Sequence, residues 1–541
     1  MLPLLLFLIL TIRAKLVESG KPPPGQLEWG NCTDFAAERN ECAVLTVPLD
    51  YTDSESDSTL ALDLLKVNAT KTPVLGSVLY NPGGPGGSGV EAVGLYGTNL
   101  VEILGGQYNV IGFDPRRGTG KTIPFDCKNT MLPIRRRRDL VFQRNLTELL
   151  LEDGWDSAQR AAAACSETMK ETGELIGTAF VARDMVQIID ALEEDGQLRY
   201  WGMSYGTQLG MTFASMFPDR VERLILDGVT NPHEYVAGTW FDSLHDTDKA
   251  FLALLSECLK AGDKCELSNL GGPKATAEDL LKKIDAKLKG YYIDGKEAGG
   301  SLYSYLLMKL AVHQALYSPN QWAMLSSLLM SIMDQDFESE LPDEPITPPP
   351  IEYYNLGYDA PLGIACGDST LRVDSPKELL DIVAQQEKVS SFGDIWFTER
   401  WKCTAWPFKA KDRYTGNFSA TTNFPILFIG NSFDPVTPLS SAHNASAGFA
   451  DSVVLNHNGY GHCSIAHPSL CTGKAVRSYF VDGKLPEPGT KCEPDIPAFD
   501  LGSDDIFLGE KKRSTLSDDD VNLLKAMKEA GRLRATHSLG T

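Results

Sequence analysis

Three residues of this chain could together perform acyl transfer: Ser204 in "WGMSYGT", Asp434 in "IGNSFDPVTP" and His462 in "HNGYGHCS". A serine hydroxyl is a poor nucleophile near neutral pH and needs a neighbouring base to take its proton. An imidazole serves as that base when a carboxylate orients it and stabilises its protonated form. Ser204 stands between Gly202 and Gly206, the spacing of a sharp strand-to-helix turn that exposes the hydroxyl. The order serine, acid, histidine is the order expected when that turn sits on a parallel sheet. A chain with 48 glycines matches three fixed positions cheaply, so the flanking elements must carry the weight. Asp434 could instead be an Asp-Pro turn former, and His457 and His467 compete with His462. Both rival histidines lack the flanking glycines that a tight strand-end loop wants.

Acyl transfer also needs donors aimed at the developing oxyanion. The Gly-rich loop "NPGGPGGSG" at 81–89 follows an apolar run, and the backbone N–H groups of Gly84 and Tyr205 are the natural pair. A phosphate-binding reading of this loop fails because no Lys-Ser/Thr follows, and "GTGKT" at 118–122 lacks the required spacing. No CxxC pair suggests zinc, and no cofactor or metal is expected.

The elements around these residues alternate in type. "SVLYN", "YNVIGF", "LRYWGM", "VERLILDGV", "FPILFIG" and "DSVVLN" read as strands. "TAFVARDMVQIIDALEEDG" and "YGTQLGMTFASMF" carry helical spacing, the second stopped by Pro218. Such alternation implies a parallel, mostly covered sheet with its functional loops at the carboxyl ends of the strands. The reading divides the chain into a core at 32–230, a mostly helical insertion at 231–420, and a second core part at 421–496. "AEDLLKKIDAKLKG" and "SLYSYLLMKLAVHQALY" are the clearest helices of the insertion, which also holds the Pro-rich "LPDEPITPPP" at 341–350. Residues 497–541 read as a polar, peripheral tail.

Across 541 residues, 43% hydrophobic and 23% charged content is that of a globular protein. A net charge of −22 argues against nucleic acid or an anionic membrane as partner. "MLPLLLFLILTIRA" has the shape of a secretory signal without a cationic start, so residues 1–14 are expected to be removed. No later apolar run is long enough to span a bilayer. Eleven cysteines and five sequons, at Asn31, Asn68, Asn145, Asn417 and Asn444, agree with export and predict an N-glycosylated protein outside the cell or in a vacuole-like compartment. Local spacing suggests the pairs Cys32–Cys42, Cys127–Cys165, Cys258–Cys265, Cys366–Cys403 and Cys471–Cys492, leaving Cys463 over, although spacing cannot prove connectivity. The basic runs "IRRRRD" and "EKKR" are expected to be exposed.

Five separated motifs fall in one order: "NPGGPGGSG", "GFDPRRGTGKT", "WGMSYGT", "PILFIGNSFDPVTP" and "GYGHCS". From about Cys32 to Asp495 the chain resembles the secreted tripeptidyl-aminopeptidase branch of the proline-iminopeptidase-like serine peptidases, with a TAP-like C-terminal part. The resemblance implies an α/β-hydrolase fold with a mainly parallel sheet and a large, mostly helical cap. It implies Ser204 as nucleophile, Asp434 as acid, His462 as base, and Gly84 and Tyr205 as oxyanion donors. It further implies a secreted exopeptidase that releases short peptides or single residues from peptides with a free N-terminus. Asp368 and Glu352, in the insertion, are candidate carboxylates for the substrate ammonium. Two features depart from the family's pattern: a second arginine in Arg116-Arg117, and Cys463 directly after the histidine. Fold and triad do not select the substrate, so a carboxylesterase or lipase is the first alternative. The second is a hydrolase-like binding protein without activity. The sequence does not give an oligomeric state.

Overall fold

β1 (Gly30–Asn31), β2 (Asn40–Pro48) and β3 (Thr59–Val67) form an antiparallel edge. β2 buries Ala43, Leu45 and Val47 on alternate positions, the period of a strand with one covered face. β4 (Ser77–Asn81), β5 (Asn109–Phe113), β6 (Leu198–Met203), β7 (Val221–Asp227), β8 (Leu427–Phe433), β9 (Val453–Tyr460) and β10 (Lys491–Cys492) run parallel to one another. Every residue of β4 and β6 is buried, as mostly apolar strands covered on both faces should be. The spatial order is β1-β2-β3-β5-β4-β6-β7-β8-β9-β10. This is a computed structural model, and it describes residues 25–116, 119, 127, 146–293, 302–334, 359–395, 401–503 and 516–538.

β4 has β5 on one side and β6 on the other, so the order reverses there, the place where open α/β sheets put their sites. Helices α1 (Gly89–Ile103), α2 (Leu146–Thr168), α3 (Thr178–Ala191) and α4 (Tyr205–Met216) connect the strands up to β7. Between β7 and β8 lie α5 (Pro232–Ala237), α6 (Thr247–Ala261), α7 (Ala277–Ile293), α8 (Leu302–Ala315), α9 (Trp322–Asp334), α10 (Ala360–Asp368) and α11 (Pro376–Val389). After β8 come α12 (Leu439–Ser446), α13 (Leu470–Asp482) and α14 (Asp518–Ser538). Each face of the sheet has its own apolar core. Met185, Ile188, Leu209 and Phe213 belong to one, and Val93, Leu100, Tyr479 and Leu523 to the other. The inserted helices pack a third core around Leu254, Leu280, Leu316 and Trp322. This is an α/β-hydrolase fold, as the sequence implies.

All five expected cysteine pairs are disulfides, and Cys463 is free and buried. The C-terminal segment differs from the expectation of a polar, peripheral tail. In α14, Leu523, Leu524, Met527 and Ala530 are buried on one stripe, and the helix packs along α1. The segment's many charges mask that stripe when only composition is read. Among the described residues, no helix is long and apolar enough to cross a membrane. The leader at 1–14, Asn145, Arg117, "IRRRRD", "LPDEPITPPP", Glu352 and "EKKR" lie outside the described residues.

Candidate active site

β6 ends at Met203 and α4 begins at Tyr205, so a single residue, Ser204, makes the whole turn. Its backbone takes φ 57° and ψ −124°, a region that residues with a Cβ avoid at a cost of roughly 1–3 kcal/mol. The turn closes because its flanking positions are glycine. A Cβ on Gly202 would collide with Gly206 O, and one on Gly206 would stand 2.9 Å from Asn81 O. Ser204 N–H donates to Asp227 O at 3.0 Å, which ties the turn to the end of β7. A serine in this N-cap position ordinarily caps the helix with its side chain. Here Thr207 closes the first turn onto Ser204 O, from its N–H at 2.8 Å and its hydroxyl at 2.6 Å. Ser204 makes no side-chain cap bond, and its hydroxyl is left for other work.

Asp434 and His462 follow the carboxyl ends of β8 and β9, and the structure brings them together. His462 Nδ1 is 3.0 and 3.1 Å from the two Asp434 oxygens. Asp434 is fully buried and also accepts from Val436 N, Thr437 N, Thr437 Oγ1 and Cys463 N. Burial opposes the carboxylate, but charge on His462 and these donors outweigh it and hold the carboxyl below its usual range. An ionised carboxylate only accepts, so Nδ1 must carry the proton shared with it. Nε2 is then the basic nitrogen, and among the described residues it has no hydrogen-bond partner. Burial disfavours the imidazolium, yet the Asp434 charge dominates and raises the imidazole above its ordinary pKa. A Cβ on Gly228, the residue after Asp227, would stand 3.3 Å from His462 Cε1. The ring therefore lies over the strand end to which Ser204 is bonded.

The Gly-rich loop after β4 sits against the turn, as the level register of Asn81 with Gly202 requires. Gly83 makes the contact: a Cβ there would stand 2.7 Å from Ser204 Cβ and 3.3 Å from Tyr205 N. Its own N–H is committed to Asn81 Oδ1 at 3.0 Å. Gly84 follows at φ 113° and, among the described residues, its N–H makes no hydrogen bond. Tyr205 is the first residue of α4, where N–H groups have no acceptor within the helix.

Asp368 lines a small cavity with Gln208, Tyr235 and Arg413, and its oxygens are already taken up by protein donors. It is buried in α10 and accepts from Thr178 N, Thr178 Oγ1 and Tyr235 OH, with burial pushing its carboxyl up to about 6. Arg116, the first arginine of the Arg116-Arg117 pair, is buried in an ion pair with Asp184 at 2.6 Å and bonds Leu49 O and Pro48 O. It anchors β2 and α3 to the loop after β5.

Two site residues escape sequence reasoning. Thr437 bonds both Asp434 and His462, and its one signal is the Asp-x-x-Thr spacing of a side-chain-capped turn. Tyr317, after α8, accepts His462 N–H at 2.8 Å and sets its ring edge-on at 5.1 Å from the imidazole. Nothing local marks it.

Residues 76–269 match the family described as alpha/beta hydrolase fold, and residues 387–492 match the family described as TAP-like protein. The first range contains Gly84, Ser204 and Tyr205, and the second contains Asp434 and His462. Relatives extend over most of the chain at low identity. Serine protease Hip1 of Mycobacterium tuberculosis is 27% identical, over 89% of this chain and 93% of that protein. Tripeptidyl aminopeptidase of Streptomyces lividans is 25% identical, over 89% of each. Carboxylesterase B of Mycobacterium tuberculosis is 26% identical, over 87% and 90%.

Proposed function

From the premise that this chain is a serine hydrolase of the TAP-like α/β-hydrolase family, we propose that it is a secreted exopeptidase acting on the free N-terminus of peptides. One arrangement carries the reading. A serine hydroxyl free of any capping bond stands on a strained turn tied to Asp227 O, and the imidazole packed against the next residue, Gly228, has its Nδ1 held by Asp434 and its buried Nε2 without a hydrogen-bond partner among the described residues.

In this reading His462 Nε2 takes the Ser204 proton as Oγ attacks the scissile carbonyl. Asp434 stabilises the imidazolium so formed, at hydrogen-bond range and out of water, where the charge pair is strong. The Gly84 and Tyr205 amides receive the oxyanion, helped by the N-terminal dipole of α4. The tetrahedral adduct collapses with its proton returned from Nε2 to the leaving amine, and an acyl-Ser204 ester remains. Water then repeats the sequence, giving Nε2 a proton and releasing the peptide acid. Five disulfides and exposed sequons at Asn31, Asn417 and Asn444 support an oxidising, extracellular setting and glycosylation.

Matched fluorogenic peptides of one, two and three residues, with free or acetylated amino ends, test this. Cleavage should need the free amine and vanish in Ser204→Ala. Equal cleavage of acetylated substrates would overturn the aminopeptidase reading. Simple ester hydrolysis exceeding all peptide cleavage would favour the carboxylesterase reading that one relative's name supports.

A further inference from the structure

The last turns of α14 touch the His462 loop. Its buried stripe docks it on α1, and near its end Gly531 passes Ile465 so closely that a Cβ would collide with Ile465 O. Gln321, between α8 and α9, donates to Ala535 O at 3.1 Å and fixes the same turn from the inserted helices. The helix thereby delivers Arg534, whose Nη1 donates to His462 O at 2.8 Å and whose Nη2 lies 3.6 Å from Cys463 Sγ.

The loop it touches needs holding. Cys463 takes φ 67° and ψ 157°, a conformation suited to glycine that costs roughly 1–3 kcal/mol with a side chain. Such strain persists only where neighbours over-determine the backbone. Asn431 Nδ2 donates to Gly461 O and Cys463 O at 2.9 Å each, and Cys463 N–H donates to Asp434 Oδ2 at 3.2 Å. The His462 carbonyl, between them, is held by Arg534. A charged donor makes a stronger bond to a carbonyl than a neutral one.

We propose that Arg534 is a positioning residue for His462: it fixes the His462 carbonyl, and with it the tilt of the imidazole that presents Nε2 to Ser204. The inference rests on the roles given to Ser204 and His462 above. Arg534 touches no reacting atom; it acts through the backbone.

The full-length protein and three variants test this: Arg534→Met, Arg534→Lys and Met527→Ala, the last trimming the buried stripe of α14 about two turns before Arg534. Readouts are kcat and KM on one fluorogenic peptide, the rate of Ser204 labelling by a fluorophosphonate, and Tm. Losing a charge-assisted bond that orders the base should lower kcat and labelling roughly 10- to 100-fold in Arg534→Met. KM should stay within about twofold, and Arg534→Lys should recover most of the loss on a logarithmic scale. Met527→Ala should lower Tm at least as far while keeping kcat within about twofold. The role is overturned if Arg534→Met keeps wild-type kcat, if lysine is no better than methionine, or if Met527→Ala loses kcat in step with Tm. Should Arg534→Met not fold, Arg534→Gln replaces it under the same criteria. Wild-type protein that is not labelled at Ser204 would sink the functional reading and this inference together; normal wild-type labelling with indifferent Arg534 variants would sink this inference alone.

Discussion

Thr437 sets its hydroxyl 3.0 Å from His462 Nδ1 while donating its proton to Asp434 Oδ2 at 2.8 Å. A hydroxyl has one proton, so toward His462 it can only accept, and it reinforces the Nδ1–H form. Thr437→Val keeps the shape and removes that lock. We expect kcat to fall roughly tenfold, the worth of one bond to a charged group, with KM little changed. Unchanged kcat in Thr437→Val would show that Asp434 alone orients the ring.

Because Asp434 raises the His462 pKa, the base becomes neutral only above the ordinary imidazole range. The acid limb of kcat/KM should therefore lie above about pH 6.5, and activity should climb through neutral pH. Asp434→Asn removes the charge that causes the shift. Its limb should move to lower pH, and kcat should drop by roughly 10⁴-fold as the tautomer is lost. A limb that stays put in Asp434→Asn would assign the titration to another group.

Gly83 is the residue of the Gly-rich loop with least room. At φ 103°, a Cβ would stand 2.6 Å from Met203 O and 2.7 Å from Ser204 Cβ, both parts of the turn rather than flexible side-chain ends. Gly83→Ala should reduce fluorophosphonate labelling by about 100-fold or more while the far-UV circular dichroism spectrum stays native. Labelling at the wild-type rate would mean that the loop moves aside at little cost.

Two carboxyls near this loop predict how stability depends on pH. Burial pushes Glu91, in the first turn of α1, up to about 7. It does the same for Asp114 against the bonds from Ser88 and Val90. The native state then holds protons that the unfolded chain has released by about pH 4.5, so stability is full below that pH and declines until about pH 7. Each group contributes on the order of 3 to 4 kcal/mol at most to that decline. Glu91→Gln and Asp114→Asn should each flatten Tm against pH between about 4.5 and 7. Slopes equal to wild type in both variants would contradict burial as the cause.

The legible parts of this protein are the ones written in short stretches. The turn at Ser204 needs glycines two positions away on either side, an apolar strand before it and a helix after it, all within about twenty residues. Strand-end loops at Asp434 and His462 are equally local, and a parallel sheet brings strand ends of one direction to one edge. The sequence by itself therefore determined the fold class and the candidate nucleophile, acid and base, and it suggested the cysteine pairs that the structure shows as disulfides. Tertiary structure alone decided that Asp368 is bonded to Thr178 and Tyr235, that Tyr317 seats the imidazole, and that a charged C-terminal segment is a packed helix bearing Arg534. These contacts join residues remote in the chain, 72 positions apart for His462 and Arg534, and no spacing or periodicity near either partner records them. Only the packing of separately formed elements brings such residues within hydrogen-bond range.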